Sequence, residues 1–97
     1  MKAQVYTFHI AYEGFEDKIW RMVEVSGNNT LAQLGYLILA TFDSLAYHAF
    51  EFTFKNAHYV LPMILEEGDM DDAEDSTRIK LCKMRLSRGE QFDMEYD

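Results

Sequence analysis

A histidine and a glutamate near the middle of the chain are the side chains best suited to proton transfer. His48 and Glu51 lie three positions apart in an aromatic segment, and an imidazole with a carboxylate is a common acid–base pair. Residues three apart on a strand point to opposite faces of the sheet, so this pair meets only if the segment is irregular. We therefore treat His48 and Glu51 as a candidate polar site, and we expect His48 to be a hydrogen-bonded residue at the edge of the core.

The histidines and the cysteine are too scattered to predict a metal site. The histidines are His9, His48 and His58. If Lys55-Asn56 forms a hairpin turn, His58 lies opposite Thr53, which places it roughly 16 Å from His48 at about 3.3 Å per residue. A zinc site needs three or four converging ligands, which the single cysteine, Cys82, cannot supply. We expect no metal and no cofactor.

The chain also lacks the motifs of covalent and nucleotide chemistry. None of Ser44, Ser76 and Ser87 lies in the strand–turn–helix context of a nucleophile elbow. Cys82 has no obvious base beside it, and no glycine-rich phosphate loop is present. The sequence therefore predicts no catalytic residues, and we favour a protein that is not an enzyme.

Acidic residues are concentrated in one ten-residue segment. Seven of the seventeen acids lie there, and they are Glu66, Glu67, Asp69, Asp71, Asp72, Glu74 and Asp75. A helix–loop–helix calcium site needs a glycine at its sixth loop position and a glutamate at its twelfth, which this segment lacks. We expect a solvated acidic loop, with weak cation binding as the alternative.

A basic segment follows the acidic one. Five of the nine basic residues lie within eleven positions, and they are Arg78, Lys80, Lys83, Arg85 and Arg88. They are candidates for contact with phosphate or with a protein partner. No aromatic stacking platform is interleaved with them, and a net charge of −8 repels nucleic-acid backbones. The simpler interpretation is that they neutralise the acidic loop.

Length and composition indicate one small soluble domain. A chain of 97 residues buries a single core, and an apolar content of 48% argues against disorder. One cysteine allows no internal disulfide, which fits a reducing cytoplasm. The N-terminus has no signal-peptide core, and the longest uncharged run, residues 25–42, is too short and too polar to span a bilayer. We expect a cytoplasmic protein without membrane contact.

Hydrophobic periodicity predicts the order strand, strand, helix, strand, strand, strand. Thr30 and Gln33 form a capping-box pattern before a helix over residues 31–42 that carries no charge. A surface helix normally has a charged outer side, so we expect this one to be covered on two sides. The predicted strands are residues 4–12, 18–25, 46–54, 57–61, which Pro62 ends, and 91–96.

These elements predict an α+β fold with a sheet of about five strands. The helix over residues 31–42 packs on one face, and the element order resembles a ubiquitin-type β-grasp. Apolar residues on both faces of the second strand indicate that it is central in the sheet. The residues expected in the core are Trp20, Leu34, Leu37, Ile38, Phe50, Phe52 and Phe92.

Several motifs along this framework resemble a known family. They are Ile19-Trp20-Arg21-Met22, Thr30-Leu31-Ala32-Gln33-Leu34, Tyr47-His48-Ala49-Phe50-Glu51-Phe52 and Phe92-Asp93-Met94-Glu95-Tyr96-Asp97. As a set they resemble the plasmid open-reading-frame-three-like family, first named from a root-inducing plasmid, whose members are often labelled insertion-element passenger proteins. The chain departs from the family pattern where Met22 replaces a second arginine and Gly35 stands where a histidine is usual.

The resemblance implies a fold but no established activity. The family pattern continues with a Gly-Asp segment and later strands, so it implies that residues 1–97 are a single domain at the N-terminal part of a longer family unit. We predict a non-enzymatic protein-interaction module, accessory to a mobile element, that binds a protein partner or self-associates. The alternative is a nucleic-acid-binding module that uses residues 78–88.

Overall fold

The strands form two separate sheets, and one long helix packs against them. The computed structural model describes residues 4–43, 49–67 and 72–96. In chain order the elements are β1 (Val5–Ala11), β2 (Trp20–Ser26), α1 (Leu31–Thr41), β3 (Phe50–Phe54), β4 (Ala57–Val60), α2 (Pro62–Glu67), β5 (Ala73–Asp75), a 3-10 turn (Leu81–Lys83) and β6 (Asp93–Tyr96). The α+β class with one main helix is confirmed. Among the described residues, however, six strands in two sheets replace the expected five strands in one sheet.

The first sheet is the antiparallel hairpin of β1 and β2, and the second contains the other four strands in the order β5-β4-β3-β6. β4 and β5 are parallel, whereas β3 is antiparallel to both of its neighbours. Within the described ranges β2 pairs with β1 alone. It is therefore an edge strand, and the expectation of a central strand is wrong.

A two-residue turn joins β3 to β4, as the sequence predicts. Lys55 and Asn56 have φ values of 50° and 65°, the positive pair that a tight hairpin turn requires. His58 consequently pairs with Thr53, as expected. Part of the predicted third strand falls on residues 44–48, which lie outside the described residues, and β3 begins at Phe50.

The start of α1 has the predicted capping box. The Thr30 hydroxyl accepts a hydrogen bond from the Gln33 amide at 3.1 Å. The Gln33 side-chain oxygen in turn accepts one from the Thr30 amide at 2.7 Å. This exchange satisfies two amides that the helix itself leaves without partners, so it defines where α1 begins.

A later segment of the chain completes the helix N-terminus. The amides of Leu31 and Ala32 donate to the carbonyls of Ile79 and Ser76. Ser76 is buried, and its hydroxyl donates to the Val60 carbonyl at 2.9 Å at the end of β4. The segment after β5 is therefore tied to both the helix and the second sheet.

A glycine brings α1 close to the second sheet. A Cβ atom on Gly35 would lie 2.2 Å from Cε2 of the Phe50 ring, so only glycine allows this approach. Leu37 lies on the other side of the helix and is 38% exposed, so its expected place in the core is wrong. The exposed side of α1 is uncharged and is not covered within the described domain; its residues are Gln33, Tyr36, Leu37 and Ala40.

Trp20 also lies outside the core. Its pairing with Ala11 puts it on the hairpin face opposite to that of Phe8 and Val23, which pack against the core. The indole ring is 5.2 Å from the His9 ring and the residue is 45% exposed. The expectation of a buried Trp20 is therefore wrong.

The core lies between α1 and the inner face of the second sheet. Leu34, Phe50 and Phe52 are buried there, as expected, and Ile38 and Phe92 pack against them while partly buried. No helix in the described ranges is both long enough and apolar enough to cross a membrane.

Two short elements were not expected. Pro62 ends β4 as predicted, but it also begins α2, because the fixed φ of proline suits the first position of a helix. The last acidic residues, Glu74 and Asp75, belong to β5 rather than to a loop. Acidic residues are rare in β-strands, so the sequence did not indicate a strand at this position.

Candidate functional site

A groove separates the two sheets along their facing edges. β1 pairs with β2 on one side, and in the described chain no strand pairs with its other side. β6 is the last strand of the second sheet and pairs only with β3 there. Residues 4–8 line one cavity with residues 86–90 and Phe92, and residues 7–13 line a second cavity with residues 89–96, so β1 and the segment that ends in β6 run in the same direction.

The hydrogen-bond pattern identifies the β1 groups that point into the groove. The Gly27 amide donates to the Gln4 carbonyl, and the Tyr12 amide donates to the Ile19 carbonyl. Bonded pairs alternate along an antiparallel ladder, so the even-numbered residues of β1 direct their backbone groups to β2. The odd-numbered residues direct their N–H and C=O groups to the groove, and these are Val5, Thr7, His9 and Ala11.

The same reasoning applies to β6. The two-residue turn makes Phe54 and Ala57 a hydrogen-bonded pair. Bonded pairs alternate along β3, so Glu51 and Thr53 direct their backbone groups away from β4 and toward β6. Their partners in the β3–β6 register are Glu95 and Asp93. Met94 lies between these partners, and its N–H and C=O therefore point toward the groove.

The floor of the groove is apolar. The Phe8 and Phe92 rings meet below it in an edge-to-face contact with centroids 6.0 Å apart, and Leu34 and Ile38 of α1 also line it. The larger cavity has a volume of about 1410 Å³. This cavity extends beyond the two strand edges to Leu39, Val60 and Ile64, so its volume is not that of the groove alone.

The rim of the groove is acidic along the larger cavity, whereas Arg88 lines the smaller one. Glu16 accepts backbone hydrogen bonds, from its own amide and from that of Gly14, and these hold the pKa of its carboxyl below the usual range. Lys55 lies 3.6 Å from Glu90 and offsets that charge. Among the described residues no lysine or arginine lines the larger cavity, and its acids are Glu13, Glu16, Glu51, Glu90, Asp93 and Glu95.

The predicted polar site is only partly placed by the structure. His48 lies outside the described residues. Glu51 contacts His58, whose Nδ1 is 2.7 Å from the Glu51 carboxylate and 3.4 Å from the Thr53 hydroxyl. Both side chains of the Glu51–His58 pair are partly exposed, so this is a surface contact between β3 and β4.

The five basic residues of the segment after β5 are all exposed. Arg78 lies 3.6 Å from Asp75, which is one contact of the kind expected between the basic and acidic segments. The first-turn amides of α1, next to this segment, are already bonded, so a phosphate there would contact side chains alone. A phosphate or partner role for Arg78, Lys80, Lys83, Arg85 and Arg88 stays a prediction.

The structure brings no metal-binding group together in the ranges it describes. There, no three side chains of histidine, cysteine, aspartate or glutamate converge on one point. Cys82 is a half-buried free thiol. Residues 68–71 of the acidic segment lie outside these ranges, so weak cation binding by that segment stays a prediction.

Sequence reasoning did not predict the groove, although one signal was present. Val5–Ala11 contains no acidic, lysine, arginine or proline residue. Exposed sheet edges normally carry charges, prolines or bulges that prevent pairing with other chains. An uncharged, regular strand that ends a sheet is therefore a candidate for pairing, but its place at the edge was visible only in the structure.

The fold and the groove define a class of protein: a small α+β domain in which one strand edge of each sheet faces the other across an apolar floor. The chain belongs to the plasmid pRiA4b ORF-3-like protein family, whose model matches residues 4–97. This confirms the resemblance seen in the Trp20, Thr30 and Phe50 motifs. No curated protein and no solved structure matches the chain.

Proposed function

We propose that this domain is a non-enzymatic protein-interaction module that binds an extended polypeptide segment between β1 and β6. The observation that supports it is the pair of strand edges on either side of an apolar floor, with the backbone groups of Thr7, His9 and Met94 directed between them. A strand antiparallel to both edges would bond to Thr7 and His9 on one side and to Met94 on the other. Such strand addition gives affinity through main-chain hydrogen bonds.

The composition of β1 supports pairing with another chain. Its edge has none of the usual protections, and its groove-facing amides belong to uncharged or histidine residues. An added strand would also cover Phe8 and Phe92, which are only partly buried. Main-chain bonding and apolar burial therefore favour the same position for the bound segment.

A proline substitution tests whether the backbone N–H of Thr7 donates a hydrogen bond to the bound segment. Thr7→Pro removes an N–H that points into the groove, while the bonds from β1 to β2 stay in place because they use other residues. The control Thr7→Val keeps the N–H and a similar shape. Peptides selected from a random dodecapeptide library on the unmodified protein should bind Thr7→Val normally and Thr7→Pro at least tenfold more weakly.

Mapping the bound peptides by amide chemical shifts gives a second measurement that does not depend on the proline variant. The amides of Thr7, His9 and Met94 should shift more than that of Tyr6, which is bonded to β2. Failure to select any peptide, or shifts confined to the exposed side of α1, would exclude the groove as the binding site.

A second candidate is nucleic-acid binding through residues 78–88. It is favoured by the exposure of all five basic side chains on one segment. Fluorescence anisotropy at low salt with labelled duplex and single strands tests it, because phosphate contacts weaken steeply as salt rises. Binding that is lost on replacing Lys80, Lys83 and Arg88 by glutamine would support this function, and a flat titration would exclude it.

We also propose where such a module works. The family description refers to a plasmid reading frame, which supports an accessory role for a mobile element. The single free thiol supports a reducing compartment such as the cytoplasm. Fractionation of the native host, followed by isolation of proteins bound through the groove and lost with Thr7→Pro, tests both statements.

A further inference from the structure

The charges around the groove indicate which kind of strand it binds. We infer that the bound segment belongs to another polypeptide and alternates lysine or arginine with apolar residues. The inference rests on the proposed function, since it names the chemistry of the segment bound between β1 and β6. It depends on three features of the structure: the apolar floor, the acidic face of β6 and the location of this chain's own basic segment.

Every second side chain of a strand in the groove would point toward the floor. There it would contact Phe8 and Phe92, with Leu34 and Ile38 below them. Unpaired polar groups are unfavourable in such surroundings, because they lose water without gaining hydrogen bonds. The inward positions of the segment are therefore apolar.

The remaining side chains would lie on the outer face, next to the side chains of β6. Those neighbours are Asp93 and Glu95, whose register partners in β3 are Thr53 and Glu51. The Glu51 carboxylate contacts His58 on the far side of β3, so Asp93 and Glu95 are the acids next to the added strand. A lysine or arginine on that strand would pair with these two acids, so the outward positions are cationic.

Acids also lie at one end of the groove. Glu13 and Glu16, in the loop between β1 and β2, line the larger cavity beside Tyr12. Hydrogen bonds keep the pKa of Glu16 low, so this group is ionised at neutral pH. Together with a net charge of −8, these groups attract a cationic segment from a distance and repel an acidic one.

This chain has a segment of the required pattern, but that segment is already in use. Residues 78–86 alternate in part between basic and apolar side chains. Leu81 and Met84 of this segment are buried in the core, and the Leu81 amide donates to the Asn29 carbonyl. Release of the segment would expose the core, so residues 78–86 are not the strand bound in the groove.

Three nine-residue peptides test the inference. They alternate valine with lysine, with threonine or with glutamate, and fluorescence anisotropy measures their binding at 50 mM and 500 mM NaCl. We expect the lysine peptide to bind at least tenfold more tightly than the threonine peptide at low salt. This preference should largely disappear at high salt, because salt screens exposed charges. The glutamate peptide should not bind.

A pair of double variants separates the groove from the overall charge. Asp93→Asn with Glu95→Gln removes the two acids of β6, and it should weaken binding of the lysine peptide by roughly three- to tenfold, as expected for two cross-strand ion pairs. Glu74→Gln with Asp72→Asn makes the same change in net charge at exposed positions at the far edge of the second sheet, which do not line the groove. This control should change binding less than twofold.

The outcomes distinguish this inference from the proposed function. If the threonine peptide binds as tightly as the lysine peptide and Thr7→Pro abolishes both, the groove binds strands without the inferred charge preference. Equal weakening by the two double variants would assign the preference to net charge and overturn the inference. A dimer detected by light scattering and abolished by Thr7→Pro would make a second copy the occupant, which also overturns it. If none of the peptides binds, both proposals fail.

Discussion

Asp75 organises the turn that follows β5. One of its carboxylate oxygens accepts hydrogen bonds from the Thr77 hydroxyl at 2.6 Å and from the Thr77 amide at 2.8 Å. The pKa of Asp75 is lowered, mainly by the hydrogen bond from the Thr77 hydroxyl. Burial of the carboxyl raises the pKa in part, and the Thr77 amide and the charge of Arg78 lower it further. The buried Ser76 lies between these residues and bonds to Val60, so the turn anchors the segment that crosses the start of α1.

We predict that Thr77→Val raises the pKa of Asp75 toward its ordinary value of 3.8 without reaching it, because the amide still donates. A lowered folded-state pKa stabilises the protein above the unfolded-state pKa, and this stabilisation is lost as the pH falls through the folded-state value. The variant should therefore be less stable than the unmodified protein at pH 7, with the difference shrinking below pH 4. Carboxyl NMR titration and urea unfolding at both pH values measure this. Thr77→Ser keeps the hydroxyl and should behave normally; a pKa unchanged in Thr77→Val would refute the assignment.

At the scale of secondary structure, the contact between α1 and β3 depends on a missing side chain. The Phe50 ring lies against Gly35 and makes edge-to-face contacts with Tyr36 and Phe52, at centroid distances of 5.1 Å and 5.9 Å. The ring is buried and held on several sides, so it has little room to move away from an added methyl group. The position of the helix over the sheet is therefore set at this point.

We predict that Gly35→Ala destabilises the protein by up to about 2 kcal/mol, because overpacking costs about 1–3 kcal/mol and the helix preference of alanine offsets only about 1 kcal/mol of it. Urea unfolding measures the change. Phe50→Leu makes room for the methyl group, so the double variant should be more stable than the sum of the two single effects. As a control, Ala40→Gly on the exposed side of α1 should lose only the helix preference of alanine. A more stable Gly35→Ala protein would show that the ring moves freely.

The elements best predicted from the sequence are those defined by local chemistry. Thr30 and Gln33 correctly predicted the start of α1, and the Lys55-Asn56 turn correctly predicted that His58 pairs with Thr53. Trp20 was misplaced because its type favours burial, whereas the pairing of β2 with β1 decides which face it lies on. The contact of Glu51 with His58 was not predicted, because it depends on that same register.

At the scale of the whole molecule, the candidate site could not be predicted because it joins residues at opposite ends of the chain. β1 begins at Val5 and β6 ends at Tyr96, and the alternation of each strand was visible in the sequence. Nothing local shows that two such strands lie side by side without pairing. The apolar floor was partly foreseen, since Leu34, Ile38 and Phe92 were expected in the core.

The ring of Phe8 is a main contact between the two sheets, and it allows the cooperativity of the molecule to be tested. Phe8 contacts Phe92, whose ring in turn contacts Phe52 and Phe54 in the second sheet. Phe8→Ala removes this contact while leaving the backbone bonds of β1 to β2. We expect the β1–β2 hairpin to become the least stable part of the protein and to unfold before α1 and the second sheet.

The single tryptophan, Trp20, lies in the hairpin and makes this separation measurable. In Phe8→Ala, the urea midpoint from tryptophan fluorescence should fall below the midpoint from far-ultraviolet circular dichroism, which reports mainly the rest of the fold. Val5→Ala, on the exposed face of the same strand, should keep the two midpoints together and change stability by less than about 0.5 kcal/mol. Coincident midpoints in Phe8→Ala would mean that the two sheets unfold as one unit. The hairpin would then be held by contacts beyond this ring pair, such as that of Tyr12 with Phe42 at 6.5 Å.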